Sequence, residues 1–121
     1  MPEEAGRPFE ARVERRGAAV LVAFSGELDA AAARAAQTAL SGALSESEGP
    51  VVVDLRALEY MDSTGLRCLL QAKCRADDAG RRMPVLNGGG PVDRVPSLSG
   101  ADAVLEMIDD DEQLDPSIRG S

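Results

Sequence analysis

The residues best suited to chemistry stand together at Asp62-Ser63-Thr64-Gly65, a hydroxyl set between a carboxylate and a glycine. Before them runs VVVDLRALEYM, which opens as an apolar β-branched stretch; after them, LRCLLQAKCRADDAG carries helical periodicity. The quartet therefore marks the point where a strand gives way to a helix. Asp, Ser or Thr at such a point accepts hydrogen bonds from backbone N–H groups that have no partner inside the helix. On spacing alone the quartet reads as a helix cap. Three capping residues in succession exceed what one helix start needs, however, and Gly65 lowers helix propensity in the first turn. A glycine there also clears space beside the Ser63 hydroxyl, which suits the approach of something large.

Ser63 as a catalytic nucleophile lacks a partner. The chain contains no histidine, which removes imidazole acid–base catalysis, His-based triads and His-containing zinc sites together. The Gly-x-Ser-x-Gly elbow is absent. The Asp-Ser/Thr-Gly signature of aspartic proteases is one residue shorter than this quartet and needs a second copy to share a proton, and there is none. Asp29 and Asp62 remain as a candidate carboxylate pair for a small enzyme, a role that requires both to face one deep pocket. Gly88-Gly89-Gly90 has neither P-loop nor dinucleotide spacing and reads as a strand-to-helix connection. Asp109-Asp110-Asp111-Glu112 lacks the alternating ligands and the glycine of a calcium loop and reads as a solvated acidic segment. No metal or cofactor site is expected.

Composition narrows the partners. With 121 residues the chain suits one domain, and its net charge of -8 would repel a phosphate backbone, which argues against nucleic-acid binding. Aromatic residues are 2% of the chain, so the core must be built from Val, Leu, Ile, Met and Ala. Cys68 and Cys74 fall in one helical stretch and point to different sides of it, so reduced thiols are expected rather than a disulfide or a shared metal. No apolar run reaches membrane-spanning length, and MPEEAGRPFE carries no hydrophobic signal region. A cytoplasmic protein without membrane insertion is expected.

The elements that must hold the quartet follow from periodicity. Phe9, Ala11 and Val13 alternate with charged residues as a strand, Arg16-Gly17 turns, and Ala18 to Phe24 forms a more buried strand. A turn is expected at Ser25-Gly26, and Asp29 then caps a helix whose Ala33, Ala36, Leu40, Ala43 and Leu44 share one face. A polar loop from Ser45 to Pro50 leads to a central strand over Val51 to Leu55. The second helix runs from about Ser63 to Ala79, with Leu66, Leu69, Leu70 and Cys74 toward the core and Gly80 at its end. Met83 to Asn87 gives a fourth strand, and a short helix starts near Pro91 and is truncated or kinked by Pro96. Ala103 to Ile108 fits a strand or a helical turn, and the acidic end suits a short helix with a frayed tail. This order implies a single α/β domain over residues 9–114. A mixed four- to five-stranded sheet is flanked by helices, and flexible termini occupy 1–8 and 115–121.

Three stretches in this order carry a family likeness. Gly26-Glu27-Leu28-Asp29 before an Ala-rich helix, then Val51-Val52-Val53-Asp54-Leu55, then Tyr60-Met61-Asp62-Ser63-Thr64-Gly65-Leu66 resemble the STAS domain. More narrowly, they are similar to bacterial anti-sigma factor antagonists (anti-anti-sigma factors), from about Phe9 to about Leu114. The resemblance implies a non-enzymatic partner switch. The unphosphorylated form binds an anti-sigma factor that is also a serine kinase and so frees a sigma factor. Phosphorylation of Ser63 ends that binding, and a phosphoserine phosphatase restores it. Asp29, Met61, Asp62, Ser63, Thr64 and Gly65 are then the expected partner-binding residues. A second expectation within the same resemblance is a regulatory or scaffold subunit of another complex, in lipid transport or stress signalling.

Overall fold

The computed structural model describes residues 8–46, 48–86 and 105–108. In chain order these form β1 (Glu10–Arg16), β2 (Ala19–Leu28), a 3-10 turn (Ala30–Ala32), α1 (Ala33–Glu46), β3 (Val51–Met61), α2 (Ser63–Asp78), β4 (Pro84–Leu86) and β5 (Glu106–Ile108). The expected connection at Gly88 to Gly90, the helix from Pro91 with its break at Pro96, the acidic end and all the expected flexible termini but Pro8 lie outside the described residues.

The strands make one five-stranded sheet in the order β1-β2-β3-β4-β5. Gly17, at φ 62, lets the chain reverse between β1 and β2, which pair antiparallel. From β2 onward every pair is parallel, so the connections through α1 and α2 must cross over the sheet. Pairing with β4 makes residues 106–108 a strand, an outcome that local periodicity leaves open. β1 is the outer strand on its side, and Glu14 there is bridged by Arg12 at 3.3 Å and Arg16 at 3.0 Å.

Two strands extend beyond their expected ends. β2 continues through Ser25-Gly26 to Leu28, and β3 continues past Leu55 to Met61. The cause is a pair of bulges. The register runs Ala23↔Asp54 and then Ser25↔Ala57, and again Gly26↔Leu58 and then Glu27↔Tyr60, so β3 spends an extra residue at each step. Gly26 adopts φ 83 at the second bulge instead of making a turn. As a result the buried residues of distal β3 are Leu55, Leu58 and Met61, every third position rather than every second.

Both helices cover one face of the sheet. Phe24, Leu28, Leu40, Leu55 and Leu69, all at or below 2% exposure, centre that core, and each such side chain contributes about 1.5–3 kcal/mol by leaving water. Ala36 and Ala43 are fully buried and let α1 lie close to the strands. A second cluster of Ala19, Leu21, Val52, Leu86 and Ile108 occupies the opposite face, which accounts for the unbroken apolar run of β2. Arg81 joins the end of α1 to the start of β3 by donating to the carbonyls of Leu44 and Gly49. On α2, Leu66 and Leu69 of the expected core stripe are buried, but Cys74, expected with them, is exposed, and Cys68 is buried instead. The reason is the seam with α1, where Cys68 meets Ala33, Gln71 meets Gln37 and Arg75 meets Ser41. Burial pushes the Cys68 thiol above its ordinary pKa.

Asp54 lies at the centre of β3 and turns its carboxylate to Arg56, which donates through Nε at 3.0 Å and Nη2 at 2.9 Å. Burial pushes the Asp54 pKa up, but the hydrogen bonds and charge of Arg56 outweigh it and hold the group below its ordinary value of 3.8. A carboxylate with a depressed pKa contributes stability that is complete above 3.8 and is lost as the pH falls through the lower folded-state pKa. Arg56 is 43% exposed, so solvent screening limits the effect. Arg56→Ala is expected to lose up to about 1 kcal/mol near neutral pH, and the difference from wild type is expected to vanish in strong acid. Urea unfolding of both proteins across acidic pH checks this.

Candidate functional site

Leu28 and Met61 are paired residues at the ends of adjacent parallel strands, and the next residues are Asp29 and Asp62. The Asp62 N–H donates to the Leu28 carbonyl at 3.3 Å, closing the two strand ends together. Two helical segments thus begin side by side at the carboxyl edge of the sheet, where open α/β folds commonly place their binding sites.

Each aspartate starts its own segment. Asp29 is extended (φ -119, ψ -168), and its Oδ1 accepts from the Ala32 N–H at 3.2 Å. Asp62 is extended as well (φ -101, ψ -172), and its Oδ1 accepts from the N–H groups of Thr64 at 3.0 Å and Gly65 at 3.1 Å. The Asp62 carbonyl then accepts from Leu66 at 3.0 Å, the first bond of the α2 ladder. Asp62 is the cap, and the acidic side chain complements the positive end of the helix dipole.

Ser63 is thereby released from capping. It is the first residue of α2, exposed, and its hydroxyl has no hydrogen-bond partner among the described residues. Thr64 is half-buried beside it.

Gly65 has a different role from the one its sequence position suggests. It is buried, and a Cβ there would stand 2.7 Å from Leu28 Cγ, 2.8 Å from Met61 Cγ and 3.0 Å from the Leu28 carbonyl oxygen. The glycine lets the first turn of α2 seat against the strand ends; it does not clear a path to Ser63. Met61, at 3% exposure, belongs to the core. Of the six residues expected to face a partner, Met61 and Gly65 therefore support the site from beneath. Asp29, Asp62, Ser63 and Thr64 reach its surface to differing degrees.

Two surface residues lie outside the set expected to bind a partner. Tyr60 is 49% exposed beside the quartet, on the part of β3 that runs beyond its expected end at Leu55. Arg67 is exposed one helical turn after Ser63, and helical spacing from the serine is the signal that finds it.

The carboxylate-pair arrangement is not what the geometry provides. Asp29 and Asp62 are each engaged by backbone N–H groups of their own segment. A cavity of about 390 Å³ beside Asp29, bordered by Phe9, Glu27 and Ala32, does not include Asp62. Among the described residues no group of three or more His, Cys, Asp or Glu is arranged to hold a metal ion. Among them, too, no helix is long and apolar enough to cross a membrane.

A family model described as "Mlab, STAS domain" matches residues 11–108. The chain belongs to the STAS domain family. Its fold is shared with an anti-sigma factor antagonist from Mycobacterium paratuberculosis at a TM-score of 0.76 and 22% identity, covering 93% of this chain and 95% of that one. It is shared also with the anti-sigma factor antagonist SpoIIAA in its unphosphorylated form, at a TM-score of 0.64 and 22% identity over 88% of this chain and 92% of that one. The Bacillus cell fate determinant SpoIIAA in its phosphorylated form gives 0.62 and 21% over 87% and 95%. No curated protein sequence matches this chain.

In this STAS domain the cap, the seat and the free hydroxyl are separable by mutation. Asp62→Ala is expected to cost about 1 kcal/mol of folding stability, and Gly65→Ala about 1–3 kcal/mol through the clash with Leu28 and Met61. Ser63→Ala is expected to stay within about 0.5 kcal/mol of wild type. Denaturant unfolding of the three variants checks the order.

Proposed function

We propose that this STAS domain is a cytoplasmic anti-sigma factor antagonist whose binding is switched off by phosphorylation of Ser63. The observation that carries the proposal is the exposed, unpartnered Ser63 hydroxyl at a helix start already capped by Asp62. Two of the proteins that share its fold are described as anti-sigma factor antagonists, and SpoIIAA is described in both phosphorylated and unphosphorylated forms.

The partner is an anti-sigma factor that is also a serine kinase. In the transfer, Ser63 Oγ forms a bond to the γ-phosphorus of ATP. The bond from that phosphorus to the bridging oxygen breaks, ADP leaves, and the hydroxyl proton passes to a base of the kinase. The STAS domain is the substrate and performs no catalysis. Phosphorylation brings about -1.5 to -2 charges at neutral pH. A helix N-terminus tolerates that charge, so the fold survives. Asp29 and Asp62 lie at the same edge, and a partner that fits the small hydroxyl there meets a bulky dianion instead. A loss of about 3 kcal/mol of binding is roughly a hundredfold in affinity. A phosphoserine phosphatase reverses the change.

A second reading has one observation on its side: the matching family model is named for Mlab rather than for an antagonist. In it the domain is a regulatory or scaffold subunit of another complex, in lipid transport or stress signalling, and the identity of the captured partner separates the two.

With the cognate kinase and ATP, peptide mass spectrometry is expected to find phosphate on Ser63 and none on Thr64. Titration calorimetry is expected to show Ser63→Ala binding like the unmodified protein and Ser63→Asp binding about a hundredfold more weakly. Undiminished labelling of Ser63→Ala, or equal binding by the two variants, would overturn the assignment.

A further inference from the structure

Arg67 follows Ser63 by one turn on α2, and both side chains are exposed. Residues at this spacing are neighbours on a helix surface. Among the described residues, Arg67 makes no hydrogen bond or ion pair. Other cations of α2 are engaged: Lys73 with Asp77 at 2.9 Å, and Arg75 with Ser41 at 2.7 Å. Across the helix seam at this level stands Ala33, whose carbonyl receives the Cys68 thiol and whose small side chain offers the guanidinium no anion.

We infer that Arg67 is the phosphate-holding residue of the switch: once Ser63 carries a phosphate, Arg67 folds back along α2 and pairs with it. This rests on the assignment of Ser63 as the phosphorylated residue. A guanidinium presents paired N–H donors that match two phosphate oxygens, and it remains charged throughout the pH range in which the phosphate titrates. The other charged groups brought to this edge are Asp62 capping α2, Glu27 near the end of β2 and Asp29 just past it, Glu59 near the end of β3, and Arg34 on α1. The four carboxylates oppose the dianion, and Arg67 is the cation placed on the serine's own helical face. Pairing changes the docking surface twice over. An anion is added at Ser63, and a cation that a partner carboxylate could meet is withdrawn from the neighbouring turn.

The test places phosphoserine at position 63 during translation, so that no kinase is required. The second phosphate ionisation is then followed by 31P NMR across pH at low and high salt. Arg67→Gln is expected to raise that pKa by about 0.2–0.4 of a unit relative to wild type at low salt, with the difference shrinking as salt is added. Arg67→Lys is expected to retain most of the wild-type value, because it keeps the charge. Unphosphorylated Arg67→Gln is expected to melt with wild type, so a shift in the titration reports the phosphate and not the fold. Identical phosphate pKa values in wild type and Arg67→Gln would overturn the pairing. Failure of a cognate kinase to label Ser63 would overturn the phosphorylation assignment and leave this titration result standing.

Discussion

The close seating of α2 against two strand ends is the constraint on which the site depends. Leu28 and Met61 are in register, the Asp62 N–H reaches back to the Leu28 carbonyl, and the first turn of α2 comes so near that position 65 has no room for a side chain. Moving the helix outward by a methyl group would loosen the grip on Asp62 and change where Ser63 stands. The glycine is therefore a positioning device for a hydroxyl it does not touch. Its cost in helix propensity, about 1 kcal/mol, is offset by the packing of Leu28, Met61 and Leu66, all nearly buried.

From that seat follows a division of labour within four residues. Asp62 satisfies the backbone, Gly65 satisfies the core, and Ser63 is left with no structural duty that its hydroxyl must fulfil. A modification site benefits from such separation. A residue that both caps a helix and accepts a phosphoryl group would couple the signal to partial unfolding. Under the proposed phosphorylation of Ser63, the covalent change would alter the surface while the cap and the core stay as they were. The neighbouring 3-10 turn repeats the capping arrangement through Asp29, so the paired strand ends are closed by carboxylates on both sides.

The element order was legible because apolar runs and turn residues report it directly: Gly17 at the hairpin, Asp29 and Asp62 at segment starts, Gly80 at the end of α2 with φ 71. What periodicity did not expose depends on contacts between distant residues. The bulges in β3 arise from its pairing with β2 and turn a two-residue alternation into a three-residue one, which buries Leu58 and exposes Ala57 and Glu59 where strict alternation would have the opposite. Gly65 looked like an opening toward solvent because sequence alone cannot place Leu28 beside it. Cys74 looked like a core residue because the orientation of α2 is set by its seam with α1, and that seam selects Cys68 instead. The short strand at 106–108 was ambiguous for the same reason: its partner, β4, lies far away in sequence.

The charged outer strand β1 has a bearing on how molecules meet. An unprotected strand edge is a template on which another chain can build, and such growth has no natural stopping point. Along β1, Glu10, Arg12, Glu14, Arg15 and Arg16 make any incoming strand bring ionised groups into register with them, with Arg12 and Arg16 already drawn onto Glu14. Sheet extension is discouraged on that side. The backbone of β1, which would pair with almost any extended peptide, is kept from deciding who binds, and that choice is left to side chains elsewhere on the surface.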